Sequence, residues 1–252
     1  MSAEYQRSCF LRKVEKVGDC CWLSIGHESF QQSYTNAYHG QLLLFNTLES
    51  FKALDRKELL RVEAQKIWHV IESGVWLQHP EQLVSFIFTV FAELKKYQYY
   101  YWNCFPTLCF PSDIKQEVSS IAVNGNLIQY YNRERAPIFL CSNNGDCLPI
   151  SKIVELSDPA ELKIVYADPS PIRGRPGWPL RNLLAAVAYL KPSWNWCSFI
   201  SLRDEDQLEE FRISWAPSQI TALPPTVGWE RTHEGKMTPQ FADMRKQFDP
   251  KK

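Results

Sequence analysis

The segment Leu83–Leu94 most constrains the fold of this chain, because it is apolar on nearly every side. Only Ser85, Thr89 and Glu93 interrupt it, so almost no polar face remains to meet water. Pro80 is a residue type that can open a helix, and we therefore predict a central core helix enclosed by other elements. The segment is well short of the roughly 20 apolar residues that a bilayer span needs. We expect no membrane span.

Composition favours a protein partner over a nucleic acid. The chain has 252 residues and 45% hydrophobic content, which is enough to bury a large core. Its 28 basic residues balance its 28 acidic ones, so there is no net field to concentrate nucleic acid. The eight cysteines occur in a chain that is large for a disulfide scaffold, and its first residues lack a signal-peptide core. These features predict reduced thiols and a cytoplasmic protein.

Two helices are predicted from their end signals. Asp55 followed by Glu58 has the form of a capping box, and Gly74 can end a helix in the left-handed conformation, which predicts a helix at about residues 56–73. The apolar residues at helical spacing on one face are Leu60, Ala64, Ile67 and Ile71. Pro179 predicts the start of a second helix over residues 180–190.

Several short apolar or aromatic runs predict strands. Asn143–Asp146 contains a turn signal between two such runs and predicts a hairpin. The other predicted strands are Gln41–Phe45, Tyr97–Trp102, Ile164–Tyr166, Phe199–Leu202 and Phe211–Trp215. The polar stretch His27–Gly40 is typical of a loop. Together these elements predict an α+β fold.

The motifs of ATP and metal chemistry are missing from this sequence. The best phosphate-loop candidate, Gly174–Gly177, contains Pro176, which removes an amide donor. The cysteines and histidines are not paired at metal-ligand spacing. A thiol enzyme that uses Cys104 or Cys109 would need a histidine base nearby, which the sequence does not indicate. We expect no catalytic residue, metal or cofactor within this chain.

Lys95 and Lys96 precede the aromatic stripe Tyr97–Trp102 and form the first candidate partner-binding group. Exposed rings beside cations suit protein recognition. The alternative is a strand whose alternate rings fill the core, and burial is the usual place for aromatic residues.

Trp178 and Arg181 form the second candidate group, within the segment Pro176–Asn182. Both residue types are enriched among interface hot spots. The alternative is that Trp178 packs the turn onto the core while Arg181 binds a neighbouring carbonyl. The sequence leaves both interpretations open.

Several segments together resemble the amino-terminal domain of the ubiquitin-like modifier-activating enzyme of autophagy. Their order along the chain is that of the family. They are Asn46–Lys52, Glu63–Trp68, Ala92–Tyr97, Tyr100–Trp102, Pro176–Asn182, Val227–Glu230 and Phe248–Lys251. The similarity spans about residue 41 to the last residue.

The resemblance implies a fold of mixed, largely antiparallel short strands with several packed helices. It also implies a division into a divergent segment at 1–40, the family domain at 41–231, which can comprise two subdomains, and a polar tail at 232–252. The family enzyme uses ATP and magnesium to adenylate two ubiquitin-like modifiers, and it holds each one as a thioester. Those steps, and contact with the modifiers, belong to the family's carboxy-terminal half, whose motifs this chain lacks.

The amino-terminal domain of that family recruits conjugating enzymes. We therefore predict a monomeric, non-catalytic module that binds a conjugating enzyme's flexible segment. The expected location is the cytoplasm, at the preautophagosomal structure. The alternative is a free-standing short form that sequesters conjugating enzyme and so regulates autophagy.

Overall fold

Fourteen strands and four α-helices form within residues 5–11, 14–17, 20–23, 38–122, 124–170, 172–203, 207–232 and 234–246, which the computed structural model describes. The helices are α1 (Leu48–Lys52), α2 (Arg56–Glu72), α3 (Gly125–Glu134) and α4 (Pro179–Leu190). The strands are β1 (Tyr5–Leu11), β2 (Val14–Val17), β3 (Cys20–Leu23), β4 (Tyr38–Phe45), β5 (Ser85–Glu93), β6 (Gln98–Leu108), β7 (Lys115–Ala122), β8 (Ile138–Ser142), β9 (Cys147–Pro149), β10 (Leu162–Ala167), β11 (Trp196–Leu202), β12 (Gln207–Ser214), β13 (Thr226–Trp229) and β14 (Gln240–Asp243).

The strands make two six-stranded sheets and one small hairpin. The first sheet has the order β1-β4-β5-β6-β13, and β14 also pairs with β6. The second has the order β7-β12-β11-β10-β8-β9, while β2 and β3 pair with each other. Only β4 with β5 and β10 with β11 are parallel among these pairs. The predicted α+β fold with largely antiparallel strands is confirmed.

The predicted central helix after Pro80 is wrong. Residues Pro80–Leu83 form one 3₁₀ turn, and the apolar run that follows is β5, held between β4 and β6. A strand in the middle of a sheet that is covered on both faces loses its polar alternation, so its pattern resembles that of a buried helix. The run is rich in Phe, Ile and Val, which favours the strand.

The predicted helix over residues 56–73 is confirmed as α2. The Asp55 carboxylate accepts from the amides of Lys57 and Glu58 at 3.1 and 3.0 Å. The Glu58 side chain does not complete a capping box, because both its oxygens bind the Arg61 guanidinium at 2.7 and 2.6 Å. Gly74 has φ 71°, the left-handed conformation expected after the helix.

Helix α4 lies in a buried cluster shared by both sheets. That cluster includes Phe86 and Phe88 from β5, Leu183 from α4, and Phe199 and Phe211 from the second sheet. A second cluster lies on the opposite face of the second sheet, beneath α3; it includes Leu127, Phe139, Val165 and Ile200. None of the helices in the described ranges combines the length and apolarity that crossing a membrane requires.

Most of the other predicted elements are present, and the structure adds several that were not predicted. The hairpin at Asn143–Asp146, helix α4 and strands β4, β6, β10, β11 and β12 are confirmed. Helices α1 and α3 and strands β7, β13 and β14 were not predicted; β14 lies within the tail assigned to 232–252 and pairs with β6. Most of the loop predicted at His27–Gly40 lies outside the described residues, but the prediction is wrong for residues 38–40, which begin β4.

Candidate partner-docking surface

Trp178 opens α4 and packs its ring on the first sheet. The ring centroid lies 4.5 Å from that of Phe105 in β6, with the planes tilted by 39°. The indole nitrogen is buried and has no hydrogen-bond partner among the described residues. Pro179 occupies the first helical position, and Arg181 lies exposed in the first turn. Trp178 therefore contributes to the core, while Arg181 is exposed.

Asp168 fixes the loop that leads to Trp178. Its carboxylate Oδ1 accepts from the amides of Ser170 and Gly177 at 2.9 and 3.0 Å. Its Oδ2 accepts from the hydroxyls of Tyr166 and Ser201 at 2.9 and 2.7 Å. Burial raises the pKa of Tyr166 well above its usual range, and the adjacent carboxylate adds to this effect. The phenol therefore stays a hydrogen-bond donor.

Arg203 also binds the backbone of this loop. Its guanidinium pairs with Asp168, and it donates to the carbonyls of Ile172 and Arg175 at 3.2 and 3.1 Å. Glu209 accepts from Arg203 Nη1 at 2.8 Å and from the Gly174 amide at 2.8 Å. These hydrogen bonds hold the inner side of the loop backbone in place. The outward side chains therefore project from an ordered backbone.

The outward side chains of this loop are mostly basic. Ile172 is 47% exposed, and Arg173, Arg175 and Arg181 are exposed. Residues 169–181 contain no acidic side chain. We call these four side chains and the Trp178 ring the arginine surface. A positive surface with one apolar residue and an aromatic base suits an acidic or amphipathic peptide.

The arginine surface is not a phosphate loop. The Gly174 and Gly177 amides, which a phosphate would need, are already bound to Glu209 and Asp168. This agrees with the rejection of Gly174–Gly177 from the sequence and gives a second reason for it.

Lys95 and Lys96 lie in the turn between β5 and β6. Both are exposed, and Lys96 Nζ is 2.6 Å from Glu93 Oε1. Leu94, beside them, is 69% exposed. Within the aromatic stripe, Trp102 is buried, Tyr97 is exposed, and Tyr99 to Tyr101 are partly exposed where β14 pairs with β6.

The two predicted groups are separate in the structure. Gln98, beside the lysines, and Phe105, beneath Trp178, lie on the same strand β6. At about 3.3 Å per residue, they are roughly 23 Å apart. The structure brings Trp178 and Arg181 together but does not join them to Lys95 and Lys96.

The cysteines give no support to thiol catalysis. Cys104 is 0% exposed, and burial raises the pKa of its thiol far above the usual range, with Glu63 adding to the effect. Cys109 is exposed. Across the part of the chain that the structure describes, no group of three His, Cys, Asp or Glu side chains is placed to hold a metal ion.

Sequence reasoning missed Asn182, the residue that joins α4 to the first sheet. Its side chain is fully buried and accepts from the Leu108 amide at 3.0 Å. It donates to the carbonyls of Leu83 and Pro106, each at 2.9 Å. A polar residue on the apolar side of α4 was the available signal, because buried amides are nearly always bonded.

Comparison with known proteins identifies the family. The family model described as the N-terminus of ubiquitin-like modifier-activating enzyme ATG7 matches residues 3–248. Human ubiquitin-like modifier-activating enzyme ATG7 is 31% identical over 249 residues, which covers 84% of this chain and 35% of the human protein. The ATG7 of Cryptococcus neoformans is 32% identical over 227 residues, with 84% and 33% covered. The chain thus spans about a third of the length of these relatives.

Solved structures show the same fold. The crystal structure of the Kluyveromyces marxianus Atg7NTD–Atg10 complex matches with a TM-score of 0.66 at 23% identity, over 95% of this chain and 87% of that one. Kluyveromyces marxianus Atg7NTD alone matches with a TM-score of 0.67 at 22% identity, with the same coverage. Sequence and fold agree that the chain belongs to the family of ATG7 amino-terminal domains.

Proposed function

We propose that this chain recruits a conjugating enzyme of the autophagy system. The observation that supports this most directly is the fold it shares with Kluyveromyces marxianus Atg7NTD, which has been solved in complex with Atg10. Membership of the ATG7 amino-terminal family supports the same role. Recruitment raises the effective concentration of the conjugating enzyme beside a modifier thioester, without requiring chemistry from the recruiting domain.

The arginine surface is the proposed docking site. Arg175 and Arg181 supply charge for acidic side chains, and Ile172 supplies an apolar contact. The occupant is a flexible acidic or amphipathic segment of the conjugating enzyme. Because the loop is already ordered, less conformational entropy is lost on binding. Lys95 and Lys96 form a second proposed contact about 23 Å away, within reach of a partner of ordinary interface size.

The proposal gives this chain no catalytic residue, metal or cofactor of its own. ATP, magnesium, adenylation and the thioester belong to other parts of a longer enzyme, as does contact with the modifiers. The proposed module is a monomer in the cytoplasm at the preautophagosomal structure.

Titration calorimetry tests recruitment. The chain is titrated with the autophagy conjugating enzyme and, separately, with a version that lacks the flexible segment. Micromolar or tighter binding, about −8 kcal/mol or better, is expected for the first and loss of that binding for the second. Equal binding of both versions would contradict docking through the flexible segment, and binding of neither would contradict recruitment.

Paired variants then locate the surface. Arg175→Ala with Arg181→Ala should weaken binding by roughly tenfold or more, since arginines dominate interface hot spots. Lys95→Ala with Lys96→Ala is the matched pair at the far end of β6, with the same number of charges removed. A larger loss from the lysine pair than from the arginine pair would contradict the assignment of the arginine surface as the main site.

A further inference from the structure

Cys141 and Cys147 lie directly opposite each other in the hairpin of β8 and β9. At the end of this hairpin, the Ser142 amide donates to the Asp146 carbonyl at 2.8 Å, and the Gly145 amide donates to the Ser142 carbonyl at 2.9 Å. Ser142 and Asp146 are therefore a hydrogen-bonded pair. Because hydrogen-bonded and non-hydrogen-bonded pairs alternate along an antiparallel ladder, the two cysteines form a non-hydrogen-bonded pair.

Pro149 supports this register independently. It lies opposite Phe139, two pairs beyond the cysteines, and therefore also at a non-hydrogen-bonded position. A proline has no amide to donate, so within a strand it is tolerated where that amide would point away from the neighbouring strand. The position of Pro149 thus agrees with the alternation deduced from the turn.

Non-hydrogen-bonded pairs bring opposite residues close together. Their Cα atoms are about 4.5 Å apart, which is inside the range of about 4.4–6.8 Å that a disulfide spans. Both side chains of such a pair point to the same face of the sheet, and here both contribute to the cluster beneath α3. The pairing therefore suits a disulfide between these two residues.

The surroundings allow a small oxidant to reach one thiol. Cys141 is 5% exposed, beneath α3, whereas Cys147 is partly exposed. The Cys147 thiol lies 3.8 Å from the Asn126 carbonyl at the start of α3. Burial raises the pKa of Cys147 to about 11, while the Arg133 guanidinium opposes this rise. Both thiols therefore stay mostly protonated near neutral pH, so their reaction with a small oxidant is slow.

We propose that Cys141 and Cys147 are a modification site at which a hydroperoxide forms an intrachain disulfide. The Cys147 sulfur attacks one peroxide oxygen, the O–O bond breaks, and water or an alcohol leaves to give the sulfenic acid. The Cys141 sulfur then attacks the Cys147 sulfur, the S–S bond forms, and the sulfenic oxygen leaves as water. Two electrons and two protons pass from the thiols to one peroxide, so atoms and electrons balance.

The other three cysteines whose side chains the structure describes lack this arrangement. Cys104 and Cys197 are 0% and 1% exposed, and no cysteine faces either across its strand pairs. Cys109 is exposed and lies just beyond the end of β6. The disulfide would fix the edge strand β9 to β8 beneath α3, which closes the short loop over residues 142–146.

Peptide mapping of the native protein tests the site. The reduced chain is treated with hydrogen peroxide, the remaining thiols are blocked with N-ethylmaleimide, and the unreduced digest is analysed by mass spectrometry. The expected product is a cross-link between Cys141 and Cys147 that a phosphine reductant reverses. Maleimide adducts at both positions after prolonged treatment, when Cys109 is fully oxidised, would overturn the proposal. Sulfinic acid at Cys147 with Cys141 still blocked by maleimide would also overturn it.

Serine variants provide a second readout. Cys147→Ser should abolish the cross-link, whereas Cys109→Ser should leave its yield unchanged. An undiminished disulfide at Cys141 in Cys147→Ser, formed with another cysteine, would also overturn the assignment. The native mapping stands by itself if a variant folds poorly, because it uses the unmodified sequence.

Discussion

Asp168 and Arg203 form a buried ion pair in which Oδ2 lies 3.0 Å from Nη2 and the two side chains are 0% and 6% exposed. The pair joins the end of β10 to the end of β11. Because Arg203 also binds two carbonyls of the loop after β10, the same guanidinium sets the conformation of the arginine surface. The conformation of the surface therefore depends on buried residues behind it.

Asp168→Asn should destabilise the chain by about 3 kcal/mol or more, because it leaves the Arg203 charge buried with less compensation. Urea unfolding followed by tryptophan fluorescence measures this change. Glu155→Gln is the control, since Glu155 pairs with Lys152 at the surface, where such a pair contributes about 0–1 kcal/mol. Equal destabilisation by the two changes would contradict the role given to Asp168.

Asn182→Leu should destabilise the chain by roughly 3 kcal/mol or more, because it leaves one amide and two carbonyls buried without partners. The leucine has a similar size, so the effect reports on lost hydrogen bonds more than on volume. Asn143→Ala removes one exposed bond, to the Ala160 carbonyl at 3.0 Å, and serves as the control. A chain that tolerates Asn182→Leu as well as Asn143→Ala would show that the buried bonds contribute little.

Gly40→Ala should cost about 1–3 kcal/mol from overpacking. A Cβ at this position, on β4, would overlap the Phe86 ring of the neighbouring strand β5. Gly125→Ala is the matched change at the start of α3, where nothing lies within 4 Å of the new Cβ. It should be neutral or slightly stabilising, by up to about 1 kcal/mol. Thermal unfolding of both variants distinguishes close packing from a general intolerance of alanine.

Stability should fall as the pH rises above about 8.5, partly through Cys197. Burial raises the pKa of this thiol to about 12 in the folded chain, whereas an unfolded thiol titrates near about 8.5. Between these values the unfolded chain loses a proton that the folded chain keeps, so one such group lowers the free energy of unfolding by up to about 1.4 kcal/mol per pH unit.

Cys197→Ala should reduce the slope of the unfolding free energy against pH by the equivalent of up to one proton. The measurement is the urea midpoint in the presence of reductant, from about pH 8 to about pH 10.5. The variant's lower stability at neutral pH does not affect the comparison, because the readout is the slope. Parallel curves for the parent and Cys197→Ala would contradict the contribution assigned to this thiol.

Binding of an acidic segment to the arginine surface should weaken with salt. Exposed charges are screened over about 8 Å at physiological ionic strength and about 3 Å at 1 M. The dissociation constant should therefore rise steadily as sodium chloride is added. The Arg175→Ala and Arg181→Ala double variant should show a shallower dependence on salt. An affinity insensitive to salt would indicate an apolar contact in place of the ionic one.

Local sequence signals were sufficient for elements whose boundaries are marked by capping or turn residues. The Asp55 cap and Gly74 define α2, and the turn at Gly145, with φ 88°, defines the β8–β9 hairpin. They were insufficient for β5, because an apolar run of this length suits either a buried strand or a buried helix. Strand β7 was missed because nearly all its residues are exposed, so it lacks an apolar alternation.

The candidate site was only partly predictable. Trp178 and Arg181 were selected by residue type; the structure packs Trp178 on Phe105 and leaves Arg181 exposed. Asn182 and Asp168 were not, because their partners are remote in sequence: Asn182 binds the Leu83 carbonyl 99 positions away, and Asp168 binds Arg203 35 positions away. No periodicity or spacing encodes such pairs, which exist only after the sheets have formed.

The two edges of strand β6 gain their neighbouring strands at different times during synthesis. One of its edges pairs with β5, which precedes it directly, but its other edge waits for β13 and β14, whose last residue is Asp243. Until those strands emerge, the backbone groups of that edge lack their final partners, and open edges of this kind pair readily with other chains. Synthesis must therefore pass β14 before this edge of β6 is covered.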